Sequence, residues 1–382
     1  MYFRLLFALV VLSEPLYAQS DSTSDATAQL DTVVVTGSQP GPGLWKVSKG
    51  DHVLWILGTV SPLPRDIEWR SQEVDALVAG SQEVLTGPEI KLSTNAGFFG
   101  LLALLPSLIG LRDNPDGKHL QDVVSADLYA RWTELKQRYL GRSNRVEKWR
   151  PLFAALALYD AALDKSRLTG ASYVRKSVLK NAKRAHVVVT TPSLELQIDQ
   201  PRDAIKEFKS GTLDDSECFH QTLDRIATDL VTMTARANAW ATGDIAALRK
   251  LPQSDQFAVC AAAVSETNLA RSRGMTDLDA RAEKTWLNAA DAALEHNAST
   301  MALLPMNHLL PRDGYLARLK AKGYAIEAPD DAESTAATGV SEPAAVGSAE
   351  QNPFALSLLK SACGSLVFRS CFDRLSTNED GS

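Results

Sequence analysis

A serine and a histidine occupy the same place in two copies of one short pattern. Residues Leu57 to Asp66 read LGTVSPLPRD and Leu304 to Asp313 read LPMNHLLPRD, so Ser61 stands in the first copy where His308 stands in the second. A serine facing a histidine suggests acyl transfer, with Ser61 as nucleophile and His308 as its general base. That chemistry needs the two turns to be adjacent, and it needs an exposed, strained turn with an oxyanion hole beside it. The Gly58-x-x-Ser61-Pro62 context is not the Gly-x-Ser-x-Gly elbow that supplies both in many hydrolases.

The positioning elements follow from the flanking residues. Each copy follows an apolar run, Val53 to Leu57 and Met301 to Leu304, and leads through Pro-Arg-Asp into a helical pattern. Asp66 and Asp313 suit helix N-caps, because a short carboxylate accepts from the first unpaired helix N–H groups. Both copies are therefore expected at strand-to-helix turns, where loops carry chemistry.

Around them the chain alternates strands and helices. Leu44 to Val47 and Val53 to Leu57 read as a hairpin about Gly50-Asp51, with Trp45 and Trp55 on its faces. Ile67 to Val78 has helical period, Glu83 to Leu85 is a short strand, and residues 121 to 181 are helical scaffold. The β-branched run His186 to Thr191 is expected as a core strand. Asp203 to Leu251 and Thr276 to His296 are helical, Thr300 to Leu304 is a strand, Tyr315 to Lys322 a helix and Tyr324 to Glu327 a last strand. This order gives an α+β fold with a mixed central sheet flanked by helices. Gly97 to Leu111, GFFGLLALLPSLIGL, carries no charge and is broken by Pro106. On length it reads as a buried helical hairpin, and the alternative is a lid or membrane-contacting loop.

Residues 1 to 18 have an early Arg4, an apolar run and Ala18 at a cleavage position, which is the pattern of a signal peptide. A periplasmic or secreted location is expected, with residues 19 to 43 as a flexible leader. Within that leader DTVVVTG (Asp31 to Gly37) resembles the segment by which outer-membrane receptors engage TonB, but no barrel-forming strands follow. Residues 44 to 329 form the folded domain, 330 to 352 an Ala/Ser/Pro/Glu linker, and 353 to 382 a tail. Residues 330 to 382 hold eight acids and three bases, so −5 of the chain's net charge of −6 lies there. No concentrated basic surface is present, and nucleic acid is not an expected partner. The four cysteines suit an oxidising compartment, Cys363 with Cys371 closing a tail loop and Cys218 with Cys260 forming the other pair.

With this order in place the chain resembles the TraB/GumN family, which is related to the Tiki metalloproteases. The likeness runs from about Leu44 to Ala328 and is carried by LWKVSKGDHVLWILGTVS, AWATGDIAAL and MNHLLPRDGYLARLKAKGYAIE. It implies a core of two pseudo-equivalent strand-turn-helix halves and, in Tiki proteins, divalent-metal-dependent proteolysis through two Gly-x-x-His motifs and acids. Several of those positions differ here. Ser61 replaces the first histidine, Pro305 replaces the second glycine, and Thr86 or Gly87 falls at the acid between Glu83 and Glu89. Of a Glu-Arg-Asn-x-x-Trp helix start only Trp286 remains.

A catalytic divalent site needs about three imidazole or carboxylate ligands, and a neutral serine hydroxyl is a poor substitute. The resemblance with its departures implies an exported pseudoenzyme, a binding or accessory protein of the cell envelope that needs no cofactor and takes an envelope protein or peptide as partner. The competing reading is a divergent hydrolase, a peptidase holding Mn²⁺, Co²⁺ or Zn²⁺ on His308 and on Glu83 and Glu89 as recruited acids, with His52 another nearby candidate. A third is an interaction module acting through the leader or tail.

Overall fold

A computed structural model describes residues 42–329, apart from 66, 68, 170–171, 229 and 252–255. Ten strands form within it: β1 (Leu44–Lys49), β2 (His52–Thr59), β3 (Leu63–Pro64), β4 (Glu83–Leu85), β5 (Glu89–Thr94), β6 (Leu168–Thr169), β7 (Val188–Thr190), β8 (Ser193–Ile198), β9 (Ser299–Pro305) and β10 (Ala325–Glu327). The expected hairpin is β1 and β2, paired antiparallel, with Gly50 at φ +58° in the turn. That left-handed backbone suits a residue without Cβ. Trp45 lies opposite Ile56 and Trp55 opposite Lys46, which puts the two indoles on opposite faces.

The main sheet is mixed and six-stranded, in the order β10-β1-β2-β9-β4-β7. β2, β9, β4 and β7 run parallel, and β1 and β10 extend the sheet antiparallel. β9 sits between β2 and β4 although it comes more than 200 residues later. Its run Thr300 to Leu304 is buried throughout, as befits a central parallel strand covered on both faces. The helix Leu278–His296 packs on the sheet and buries Leu278, Ala282, Trp286, Ala290, Ala293 and Leu294 at helical spacing. A second core, among the helices Ala126–Tyr139, Pro151–Lys165 and Ser216–Thr228, gathers Trp132, Leu158, Phe219 and Leu223. The disulfide Cys218–Cys260 joins this layer to the helix Gln256–Ser265.

Several expectations need correction. The first helix is Gln72–Gly80 and not Ile67 to Val78, because Trp69 leaves the helical path to pack against Trp240, ring centroids 5.7 Å apart. The run His186 to Thr191 yields β7, an edge strand with Val188 63% exposed, and not a core strand. β-branched residues report extended backbone, whereas a place inside the sheet depends on which strands arrive beside it. Gly97 to Leu111 is no buried hairpin. It forms two short helices, Phe98–Leu102 and Leu105–Leu108, on the surface, and among its described side chains only Leu104 is buried. β5 turns out of the main sheet to pair with β8, and the segment follows β5 away from the core. The signal peptide, most of the leader, Asp66, the linker and the tail with Cys363 and Cys371 lie outside the described residues. Among the described residues no helix is long and apolar enough to cross a membrane.

Candidate functional site

The two copies of the repeated pattern end on hydrogen-bonded neighbours. β2 and β9 are parallel, with Gly58 opposite Leu304 and Thr59 opposite Pro305. The copies are thus offset by one residue, since the sequence repeat aligns Gly58 with Pro305. β4 and β7 end at the same side of the sheet, where Thr86 continues β4. Loops beyond the C-terminal ends of parallel strands are where α/β proteins place ligands.

Beyond the strands the copies diverge. After β2 the chain passes Ser61, crosses a cis bond to Pro62 and continues extended as β3, paired with β6. After β9 it turns at once into the one-turn helix Met306–Leu309, which carries His308. Gly58 and Met306 explain one another. A Cβ on Gly58 would stand 2.5 Å from the Met306 sulfur and 3.0 Å from the Trp45 ring, so the glycine lets the second turn pack onto the end of β2. The Gly58 carbonyl also accepts a 2.7 Å hydrogen bond from Trp240 Nε1.

His308 is buried. Its ring meets the edge of Tyr315 at 5.0 Å between centroids, and Tyr315 in turn meets Trp286 at 5.2 Å. Burial pushes the His308 imidazole down to about 4, so the ring is neutral near pH 7. Tyr315 is pushed far up, first by burial and then by the charges of Glu283 and Asp279. Its hydroxyl is buried and has no hydrogen-bond partner among the described residues. Gly314 lies against the backbone carbonyl of His308, where a Cβ would collide with it. Gly314, not Asp313, is the N-cap of the helix Tyr315–Ala321, and no side chain caps it. Asp313 is exposed instead, a correction whose cause is this close approach.

Of the two residues at the expected acid's place, Thr86 and Gly87, Thr86 is fully buried and hydrogen-bonded through its hydroxyl, N–H and carbonyl. Its Oγ1 lies 2.9 Å from Thr191 Oγ1 and 3.2 Å from the Gly87 carbonyl. Its N–H donates to the Thr190 carbonyl at 2.9 Å, and its own carbonyl accepts from Trp286 Nε1 at 3.0 Å. Trp286, the retained tryptophan of the helix motif, therefore anchors the turn after β4.

The sequence candidates do not all meet. Ser61 is exposed, whereas His308 is buried, and no hydrogen bond joins them. Glu83 opens β4 opposite Thr300, and its carboxylate accepts from Asn297 Nδ2 at 2.8 Å. His52 opens β2 and its Nδ1 lies 2.9 Å from the Asn297 carbonyl. Both belong to the N-terminal end of the strands β2 and β4, and the five residue steps from Thr300 to Pro305 span about 16 Å of strand. Glu83 is thereby removed from the His308 end. Glu89 opens β5 and pairs with Arg175 Nη2 at 3.0 Å. Among the described residues no three His, Cys, Asp or Glu side chains form a group that could hold a metal ion. Ser61, His308, Glu83, Glu89 and His52, as the described residues place them, do not come together as a three-ligand divalent site.

Two buried ionic features are legible only in three dimensions. Arg150 donates to the carbonyls of Asp113, Phe208, Lys209 and Gly211, fixing the end of the helix Pro201–Ser210. Beside it Asp215 accepts from the Leu152 N–H at 2.8 Å, and burial raises its carboxyl to about 6. Lys136 and Glu147 form a 2.7 Å ion pair inside the helical layer, with Trp132 Nε1 donating to the same carboxylate at 3.1 Å. An isolated Arg or Lys in a sequence carries no sign of such burial.

A family model described as the TraB/PrgY/gumN family matches residues 43–328. No curated protein and no solved structure matches the chain.

Proposed function

Because this chain belongs to the TraB/PrgY/gumN family, we propose that it is an exported member whose inherited metal site has decayed, acting as a non-catalytic binding or accessory protein of the cell envelope. The observation that carries the reading is Thr86. Thr86, one of the two residues at the place of the expected acid, is a buried threonine whose hydroxyl meets Thr191 and the Gly87 carbonyl and whose N–H and carbonyl are held by Thr190 and Trp286. An ionised carboxylate there would keep the main-chain bonds but could not donate to the Gly87 carbonyl as the hydroxyl does. The two candidate acids are committed as well. Glu83 serves Asn297 and Glu89 serves Arg175. The envelope location rests on the N-terminal sequence pattern.

No step through a divalent ion is derived, since these donors do not come together to hold one. The decisive measurement is metal content. The purified chain, dialysed after loading with Mn²⁺, Co²⁺ or Zn²⁺, is expected to retain no stoichiometric ion and to show no peptidase activity that depends on one. Retention of one ion per chain that is lost on His308→Ala would overturn the reading in favour of a divergent hydrolase.

A further inference from the structure

The segment from Gly97 to Leu111 shows the solvent more apolar surface than any fold-stabilising role explains. Phe99 is 82% exposed and Ile109 59%, and Leu101, Leu102 and Leu105 are exposed with them. Soluble proteins seldom leave such side chains together in water unless something covers them.

The geometry indicates what kind of cover. In the helix Phe98–Leu102 successive residues turn by about 100°, so Phe99, Leu101 and Leu102 point in different directions around the axis. All three are exposed, and so is Ala103. The exposed apolar side chains of this helix are therefore spread around its axis and not gathered on one face. A flat protein partner covers one side of a helix, whereas acyl chains surround it, and all-round apolar character is what a lipid environment accepts.

Charge points the same way. No acid occurs from Ile90 to Arg112, and Lys91 and Arg112 lie near its ends. The helix Pro201–Ser210 packs against the segment's second helix and sends two cations to it. Arg202 donates to the Ala103 carbonyl at 3.4 Å and Lys209 to the Ile109 carbonyl at 2.7 Å. Residues 90–113 and 201–210 together carry five cations (Lys91, Arg112, Arg202, Lys206, Lys209) against three acids (Asp113, Asp203, Glu207), a net +2, while the whole chain is at −6. Glu207 is already taken by Arg273. An apolar projection with cations at its base complements a layer of acyl chains beneath anionic headgroups. Arg150, which holds the end of the same helix through the Phe208, Lys209 and Gly211 carbonyls and bonds the Asp113 carbonyl as well, gives the projection a fixed base.

We propose that Gly97 to Leu111 is a membrane-surface contact that inserts Phe99, Leu101, Leu102 and Ile109 among the acyl chains of a bilayer bearing anionic headgroups. The inference does not depend on whether the chain is catalytic.

Vesicle flotation of the purified full chain tests it, with phosphatidylcholine vesicles alone and with about a third phosphatidylglycerol. The wild type is expected to float with the anionic vesicles more strongly than with the neutral ones. Partition should fall at least tenfold in Phe99→Ser/Ile109→Ser, with an unchanged melting temperature because both side chains are already exposed. Arg202→Gln/Lys209→Gln should weaken binding to the anionic vesicles alone, by severalfold, as should salt near 1 M, where the screening length is about 3 Å. Since the variants keep every other segment, equal flotation of wild type and Phe99→Ser/Ile109→Ser would overturn the proposal. So would failure of the wild type to float with either vesicle, or a wild-type dimer that the double variant dissociates in the absence of any flotation.

Discussion

Trp286 Nε1 donates to the carbonyl of Thr86 across 200 residues of sequence, at 3.0 Å, in a fully buried setting. The helix tryptophan thereby holds the turn after β4. That bond fixes the end of β4 while the same indole supports Tyr315, and Tyr315 supports His308. Thr86, Tyr315 and His308 are bound together as packing, with Trp286 at the centre.

Trp286→Phe keeps the aromatic contact but leaves the Thr86 carbonyl unpaired. A buried acceptor without its donor costs about 1 to 3 kcal/mol. Urea unfolding should show an unfolding free energy lower by that amount, read as a lower midpoint with an unchanged slope. Trp286→Ala should cost more, about 3 to 5 kcal/mol, from the cavity it opens. Equal losses in the two variants would count against the hydrogen bond as the anchor.

The two close-approach glycines should respond unequally to alanine. At Gly58 the added Cβ meets the thioether end of Met306, a flexible group that has some freedom to shift, so Gly58→Ala should cost about 1 to 3 kcal/mol. At Gly314 it meets the carbonyl of His308, which moves only with the backbone, and the loss should be larger. Met306→Ala should relieve Gly58→Ala in a double-mutant cycle and leave Gly314→Ala unrelieved.

Stability should depend on pH through two buried groups of opposite sign. His308 is lowered to about 4 from an ordinary 6.5, so between these values the unfolded chain binds the extra proton. Its contribution is complete above pH 6.5 and is lost as pH falls through 4, about 3 kcal/mol in all. Asp215 is raised from 3.8 to about 6, so there the folded chain binds the extra proton. Its contribution is complete below pH 3.8 and is lost as pH rises through 6, of similar size. Between pH 4 and 6 the two largely offset one another. Denaturant melts should find His308→Gln gaining stability relative to wild type as pH falls from 6.5 to 4, and Asp215→Asn losing it relative to wild type over pH 6 to 3.8. Parallel pH profiles for the three proteins would refute the assignment.

The sequence by itself determined the hairpin, the strand from Thr300 to Leu304, the helical character of Thr276 to His296 and Tyr315 to Lys322, and the family. Those follow from local rules: alternation, unbroken apolar runs, helical spacing, and Gly or Pro where backbone must turn. It also identified the Ser61 and His308 turns as neighbours through resemblance, and β2 lies beside β9. Tertiary structure alone decided which end of the sheet each acid occupies. Glu83 and Thr86 are three residues apart, yet one meets Asn297 at the N-terminal end of β4 and the other meets Trp286 at its C-terminal end. It also decided that Val188 lies on an edge and that the uncharged segment after Gly97 faces solvent. Periodicity states which residues seek cover and not what covers them, because burial is set by distant elements that arrive beside a segment. β9, inserted between β2 and β4 from the far end of the chain, is the plainest case.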